Sequence, residues 1–358
     1  MNILLNKSLK KLNQYGVDVN AKYFVEITNE KDITELINSE YIKKEKILIL
    51  GSGNNILFTK DFDGLVIKPN LLGKEIVKED EKNIWIEIYS GEDWDSFVTW
   101  CVKNNYQGIE NLIDIPSSIG GAVSQNIAAY GQNIMDVVES VKAIDLENGN
   151  SKTFSNKQCK YTYRSSIFKS KEKNRYLITS AIFKLNKEPD DLEISYFERK
   201  SRYGSLEEEL KSIAQKPYTI HDVMQAVINQ RGKKLPSTKE YGTCGSVFEN
   251  PIVTKEKYIS LSKEISELQS YPVEKLIYRK NINELEQEYV KIPAGRVIDE
   301  LGYRGKWYGN VGMFEKHALC LVTNRKATGK EIYDFLKSIK KEVKKKYDID
   351  LNYEINIY

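Results

Sequence analysis

The chain is predicted to be α+β with more than one domain, on three observations. Strand-like and helix-like segments are mixed along its length, with neither strict βα alternation nor an internal repeat. Its 358 residues exceed what one core usually serves, about 250 to 300 residues. Stretches rich in Gly, Ala, Ser and Asn interrupt the apolar pattern, and such stretches expose backbone instead of burying side chains. Taken in order, Tyr23 to Ile27 reads as a strand, Thr28 caps a helix to about Ile37, and Ile47 to Leu50 is the next strand, a small βαβ unit. Asp61 to Gly64 reads as a turn before a further strand. Ile84, Ile86 and Ile88 alternate with Trp85, Glu87 and Tyr89 as in a half-buried strand, and a helix from Asp93 to about Lys103 puts Phe97, Val98 and Cys101 on one face. Thr219 caps a helix ending in Arg231-Gly232-Lys233-Lys234, and Lys330 to Lys346 carries Ile332, Phe335, Leu336, Ile339 and Val343 at helical spacing.

Composition narrows the function classes. Apolar residues make up 41% and charged residues 29%, and 54 basic against 51 acidic residues leave a net charge of +3. That balance gives no whole-chain reason to expect nucleic acid or an anionic membrane. No apolar run approaches the ~20 residues of a membrane span, and the first residues lack the apolar core of a signal peptide, so a cytoplasmic protein is expected. Cys101, Cys159, Cys244 and Cys320 are far apart, and the only histidines, His221 and His317, make no metal-ligand spacing. No metal is expected, and demanding chemistry falls to an organic cofactor or to Ser, Tyr, Arg, Lys and Glu.

The segment from Ile47 to Lys68 sets a glycine loop, Gly51-Ser52-Gly53-Asn54-Asn55, between apolar runs. It breaks the G-x-G-x-x-G pattern of a dinucleotide-binding turn and lacks the Gly-Lys-Ser/Thr of a triphosphate loop. A plain turn and a phosphate cradle both remain open. A second, longer segment runs through Pro116-Ser117-Ser118-Ile119-Gly120-Gly121 to Asn126 and Tyr130-Gly131. Small residues there admit a flat ring or a pyrophosphate, with the Gly120 and Gly121 amides and the Ser117 and Ser118 hydroxyls as expected donors; a small-residue packing interface is the other reading. Tyr161-Thr162-Tyr163-Arg164-Ser165 sets an arginine among aromatic rings, as an anion clamp would, and Gly242-Thr243-Cys244-Gly245-Ser246-Val247-Phe248-Glu249-Asn250-Pro251 is a third glycine loop.

In their order, these blocks resemble the UDP-N-acetylenolpyruvoylglucosamine reductase family, from about Leu9 to Tyr358 and including Ala294-Gly295-Arg296 and Gly302-Tyr303-Arg304-Gly305. The resemblance implies a two-part FAD-binding domain of the vanillyl-alcohol-oxidase type, residues 1–67 and 68–235 with 349–358, and a C-terminal α+β substrate domain over 236–348. FAD would be bound non-covalently by Gly51 to Asn55, Pro116, Ser117, Ser118, Gly120, Gly121, Asn126, Tyr130 and Gly131. NADPH would be the reductant, and the enolpyruvyl ether of UDP-N-acetylglucosamine the substrate, in peptidoglycan precursor synthesis by a monomer.

By the same resemblance Ser246 is the proton donor, Arg164 the catalytic arginine and Glu354 the catalytic glutamate. An ionised carboxylate beside an enolate would repel it, so Glu354 is expected to be protonated or hydrogen-bonded. Tyr163, Lys234 and Asn250 are expected substrate contacts, as is Tyr203 of a longer-type tyrosine loop, with Tyr196 as the alternative to it. The chain departs from the family at Ser117, where Gly is common, at Thr243-Cys244, where Asn-Ala is common, and at Asn356, where some members carry a diphosphate-binding arginine. Cys244, two residues from Ser246, is either an oxidation-sensitive thiol or an inert buried one. A flavin oxidase of the same fold is one alternative; such enzymes often tether FAD through His or Cys, and neither histidine lies in a glycine loop. A non-catalytic nucleotide-sugar-binding protein is the other, against which the joint presence of Arg164, Ser246 and Glu354 argues.

Overall fold

The computed structural model describes residues 1–189, 191–195, 203–273 and 288–358, and its mixed strands and helices are those of an α+β chain. Two compact units are present. Unit one comprises Met1–Lys7, Ala21–Ser52 and Asp63–Lys233; unit two comprises Ser8–Asn20, Gly53–Phe62 and Lys234–Tyr358. Among the described residues no helix is long and apolar enough to cross a membrane.

Unit one holds a four-stranded sheet in the order Ile3–Ser8, Asn20–Ile27, Phe62–Pro69, Ile47–Ile49. The expected βαβ unit is therefore interrupted: Phe62–Pro69 inserts between the two predicted strands and pairs parallel with Ile47–Ile49, Leu48 opposite Val66. The turn expected over Asp61 to Gly64 does not form, because burial of Phe62, Leu65, Val66 and Ile67 carries the strand through Gly64. The first helix, Glu30–Ile37, starts one residue later than predicted. Asn29 caps it by accepting from the Asp32 amide, while Thr28 donates its hydroxyl to the Asp32 carboxylate at 2.8 Å.

A five-stranded antiparallel sheet follows, ordered Ser151–Ser155, Val138–Asp145, Tyr176–Asn186, Asn83–Tyr89, Lys74–Glu79. Ile84, Ile86 and Ile88 are all but fully buried, as their alternation requires. On the opposite face Glu87 is also buried, and it accepts from the Ser180 hydroxyl at 2.6 Å and from Lys142 at 2.7 Å. Helix Trp94–Lys103 is capped by Asp93 and seats Trp94 and Phe97 against Phe183. The Trp94 indole donates to the Leu112 carbonyl at 2.8 Å, which pins the start of the second glycine segment to this core.

Unit two contains a three-stranded antiparallel sheet, Trp307–Tyr308, Val311–Phe314 and His317–Thr323, and the amphipathic helix Gly329–Tyr347. Ile332, Phe335, Leu336, Ile339 and Val343 form its buried stripe as predicted, and Thr328 with Glu331 closes a capping box at its start. A Cβ on Gly329 would stand 1.8 Å from the Phe58 carbonyl oxygen, so the helix begins where only glycine fits. Gly232, inside helix Ile220–Lys234 of unit one, has nothing within 4 Å of such a position. Chemical denaturation should therefore separate two otherwise equal changes. Gly232→Ala should stabilise by about 0.5 to 1 kcal/mol through helix propensity, and Gly329→Ala should destabilise by about 1 to 3 kcal/mol through overpacking.

Candidate functional site

In unit one the two glycine segments meet. A Cβ on Gly51 would lie 2.9 Å from the Ser118 hydroxyl and 3.8 Å from the Gly121 Cα, so the loop ending strand Ile47–Ile49 rests directly on the Pro116 to Gly131 segment. One expectation is corrected here. The Gly120 and Gly121 amides are not bared: Gly120 donates to the Ser90 carbonyl at 2.9 Å and Gly121 to the Ser118 hydroxyl at 3.3 Å, the latter as the cap of helix Ile119–Gln125. The Ser117 hydroxyl likewise donates to the Ser118 carbonyl at 3.0 Å. The glycines serve close approach, since a Cβ on Gly120 would press on Ser90 at 3.1 Å and one on Gly121 on the Ser117 hydroxyl at 2.9 Å. Pro116 and Ser52 are exposed.

Asn126 ends helix Ile119–Gln125 in the left-handed region, φ 49°. Its side chain is committed within the protein, accepting from the Met135 amide at 3.1 Å and donating to the Thr162 carbonyl at 3.0 Å. That second bond holds the tight turn in which Thr162 and Ser165 exchange backbone bonds and Arg164 adopts φ 52°. The Arg164 guanidinium lies 5.2 Å from the centre of the Tyr163 ring, the arrangement expected of an arginine among aromatics. Tyr130 and Gly131 also have positive φ; Asn111 donates to the Tyr130 carbonyl at 2.6 Å, and Glu193 packs where a Gly131 Cβ would be. Tyr203, half-buried, begins the turn before helix Leu206–Ile213. Tyr196 lies outside the described residues.

In unit two the remaining loop residues meet the C-terminal segment. Gly53, φ 74°, accepts from the Gln14 amide at 3.0 Å, and any side chain there would collide with the Leu12 carbonyl. The Asn55 amide side chain donates to the Glu354 carbonyl at 3.2 Å, and Asn356 returns both its main-chain and side-chain N–H to the Asn55 carbonyl at 3.0 and 3.2 Å. Asn356 thus helps hold the glycine loop. Ser246 bridges Cys320 on one side, while on the other Glu354 donates its amide to the Val247 carbonyl at 2.9 Å. Ser246 and Glu354 are therefore brought onto neighbouring stretches of backbone, both half-buried. Asn250 spends its carbonyl oxygen on the Ala294 amide at 3.0 Å, which leaves its NH2 as the group able to meet a ligand, and Lys234 is buried.

Burial pushes the Cys244 thiol up to about 12, and its Sγ donates to the Ile56 carbonyl at 3.6 Å. Two groups not among the expected site residues lie by the glycine segments. Ser90 Oγ and Asn111 Oδ1 are buried with no hydrogen-bond partner among the described residues. Asn111 stands in the run Gly108 to Leu112 that leads into the second segment, whereas Ser90 sits in no distinguishing motif and only the fold puts it under Gly120. The orphaned Ser90 hydroxyl under Gly120 fits a ligand that carries hydrogen-bonding atoms, as a dinucleotide does.

Residues 21–155 match the family model described as FAD binding domain, and residues 236–358 the model described as UDP-N-acetylenolpyruvoylglucosamine reductase, C-terminal domain. The chain is similar to the UDP-N-acetylenolpyruvoylglucosamine reductase of Flavobacterium johnsoniae, 39% identical over 357 residues that cover 100% of each chain. It is also similar to that of Bdellovibrio bacteriovorus, 34% identical over 354 residues and 99% of each. The crystal structure of UDP-N-acetylenolpyruvylglucosamine reductase from Thermus caldophilus shares the fold, with a TM-score of 0.63 at 18% identity, covering 100% of this chain and 98% of that one. On this likeness along its whole length, the chain belongs to the UDP-N-acetylenolpyruvoylglucosamine reductase family.

Proposed function

We propose that the chain reduces the enolpyruvyl ether of UDP-N-acetylglucosamine to UDP-N-acetylmuramate, with NADPH as reductant and FAD as non-covalent cofactor, in cytoplasmic peptidoglycan precursor synthesis. The whole-length match to reductases of that name carries the reading. In it, residues 1–67 and 68–235 with 349–358 form the two-part cofactor domain and 236–348 the substrate domain, and the protein acts as a monomer without nucleic acid. Gly51 to Asn55 and the segment from Pro116 to Gly131 hold FAD, chiefly through backbone and close approach, since Asn126 and Ser117 bond within the protein.

FAD held there and reduced by NADPH would supply the hydride to the vinyl carbon. The charge that then develops lies on the carbon beside the substrate carboxylate, and the Ser246 hydroxyl delivers a proton to it. Serine is a weak acid, but an enolate-like carbon is a strong base and the hydroxyl is held in place. Arg164 stabilises the enolate oxygens. Glu354 supports the proton transfer in a protonated or hydrogen-bonded form, and the hydrogen bond from its backbone N–H to the Val247 carbonyl sets it one residue from Ser246 across the backbone pairing, in keeping with a shared task. Tyr163, Tyr203, Lys234 and Asn250 hold the nucleotide sugar.

The purified protein should be yellow, should release its flavin in acid, and under anaerobic conditions should be bleached by NADPH and restored by the enolpyruvyl nucleotide sugar. Flavin that stays reduced in the presence of that compound would sink the assignment, and flavin that acid does not release would point to a tethered oxidase. Ser246→Ala should leave bleaching by NADPH nearly intact and slow reoxidation roughly 100-fold or more, the usual contribution of a positioned proton donor; equal loss in both half-reactions would remove Ser246 from that role.

A third outcome concerns Cys244. Its thiol ionises near 9 when unfolded and near 12 when folded, so only the unfolded chain gains by ionising between those values. Stability is full below about pH 9 and declines as pH rises toward 12, a slope to which Cys159, pushed up to about 11 by burial, also adds. Urea titrations across that range should show the decline, and Cys244→Ala should flatten it.

A further inference from the structure

Helix Leu206–Ile213 and helix Ile220–Lys234 are joined by a polar cluster that the reaction does not use. Glu209, 6% exposed, accepts from Asn229 Nδ2 at 3.0 Å, from Gln230 Nε2 at 3.3 Å and from Lys233 Nζ. Gln230, 1% exposed, also directs Nε2 at the Tyr203 carbonyl at 3.1 Å and the Ser205 carbonyl at 3.4 Å. Its Oε1 has no partner among the described residues. For packing alone, Leu or Met of similar volume would do better at such a place, because an unsatisfied buried amide oxygen costs stability. The residue that stands there instead has an NH2 whose two hydrogens are shared among the Tyr203 carbonyl, the Ser205 carbonyl and Glu209.

The turn also has devices of its own. Gly204 adopts φ 78°, and Ser205 with Glu208 forms a capping box for helix Leu206–Ile213. Both devices shape the turn, and neither fixes it against helix Ile220–Lys234, whose last residues open the Lys-Leu-Pro motif. The apolar contact between the helices comes from Leu206 and Leu210, which share one buried cluster with Ile220, Val223 and Val227, so the helices stay packed without Gln230.

We propose that Gln230 is a positioning residue for nucleotide-sugar binding: its amide fixes the Tyr203 backbone to helix Ile220–Lys234, and Glu209 fixes the amide. The proposal rests on the reading of Tyr203 as a substrate contact. Gln230 touches no substrate in this account and acts through Tyr203.

The test uses full-length, flavin-loaded Gln230→Met, Tyr203→Ala and the double variant. For each, the measurements are KM for the enolpyruvyl nucleotide sugar, the dissociation constant of UDP-N-acetylmuramate by calorimetry, and the rate of flavin reduction by NADPH. Gln230→Met should raise KM and the dissociation constant together, roughly fivefold to tenfold, as expected for one buried hydrogen-bonded anchor, and leave flavin reduction within about twofold. The double variant should be no weaker than Tyr203→Ala alone, because the two residues act on one contact. Unchanged binding in Gln230→Met beside weakened binding in Tyr203→Ala overturns the positioning role and leaves the Tyr203 reading standing. Unchanged binding in Tyr203→Ala overturns both. Effects that add in the double variant, or equal loss in binding and flavin reduction, overturn the positioning role by making Gln230 an independent or merely structural residue.

Discussion

Unit two is organised around the insertion of the segment 352–358 between two others. On one side, Asn356–Ile357 pairs parallel with Ile56–Leu57, and Tyr358 exchanges backbone bonds with Leu57 and Thr59 at 2.9 and 2.7 Å. On the other, Glu249 donates to Asn352 and Glu354 to Val247, both at 2.9 Å, with the Phe248 and Tyr353 rings stacked 5.5 Å apart. Each hydrogen bond contributes only about 1 kcal/mol, but together they join pieces of chain some three hundred residues apart in sequence. The glycine loop's end, the serine loop and the C-terminal glutamate consequently have one backbone frame, and none can shift register without the others.

Such a frame explains what could be read from the sequence. The C-terminal helix was legible nearly to the residue, because the burial of Ile332, Phe335, Leu336, Ile339 and Val343 follows a local period. Strand neighbours were not: the insertion of Phe62–Pro69 between Asn20–Ile27 and Ile47–Ile49 is a long-range choice that no local period encodes. The turn at Gly64 failed for a related reason, since a glycine's turn preference is weak beside the burial of three apolar neighbours. The chemistry-bearing residues were legible as motifs, and their mutual placement was not. Nothing near Asn55 in sequence says that its side chain reaches Glu354.

The second glycine segment shows why amide counting on a sequence misleads. Gly120 and Gly121 look like exposed donors, yet a folded chain satisfies nearly every buried amide, and here Ser90 and Ser118 do so. What small residues add is distance: Gly51 against Ser118, Gly120 against Ser90 and Gly121 against Ser117 bring backbones closer than side chains would allow. Besides the burial of Ile119, Ala122, Val123, Ile127 and Tyr130, buried polar groups hold this segment. Glu110, fully buried, accepts from the Gly108 amide at 2.7 Å and from Gln132 Nε2 at 2.8 Å; Asn111 holds Tyr130 and Glu193; Asn126 holds Met135 and Thr162.

Asn356 brings the two themes together. An arginine there would offer a charge and a long stem, and its planar head could bind a diphosphate in two places. Asparagine offers a short amide that ends at the Asn55 carbonyl, alongside the strand pairing its own backbone already makes. The substitution exchanges a charge for a tighter hold on the loop that the match to an FAD binding domain includes. In this chain position 356 therefore serves the loop through a neutral amide and brings no charge to it.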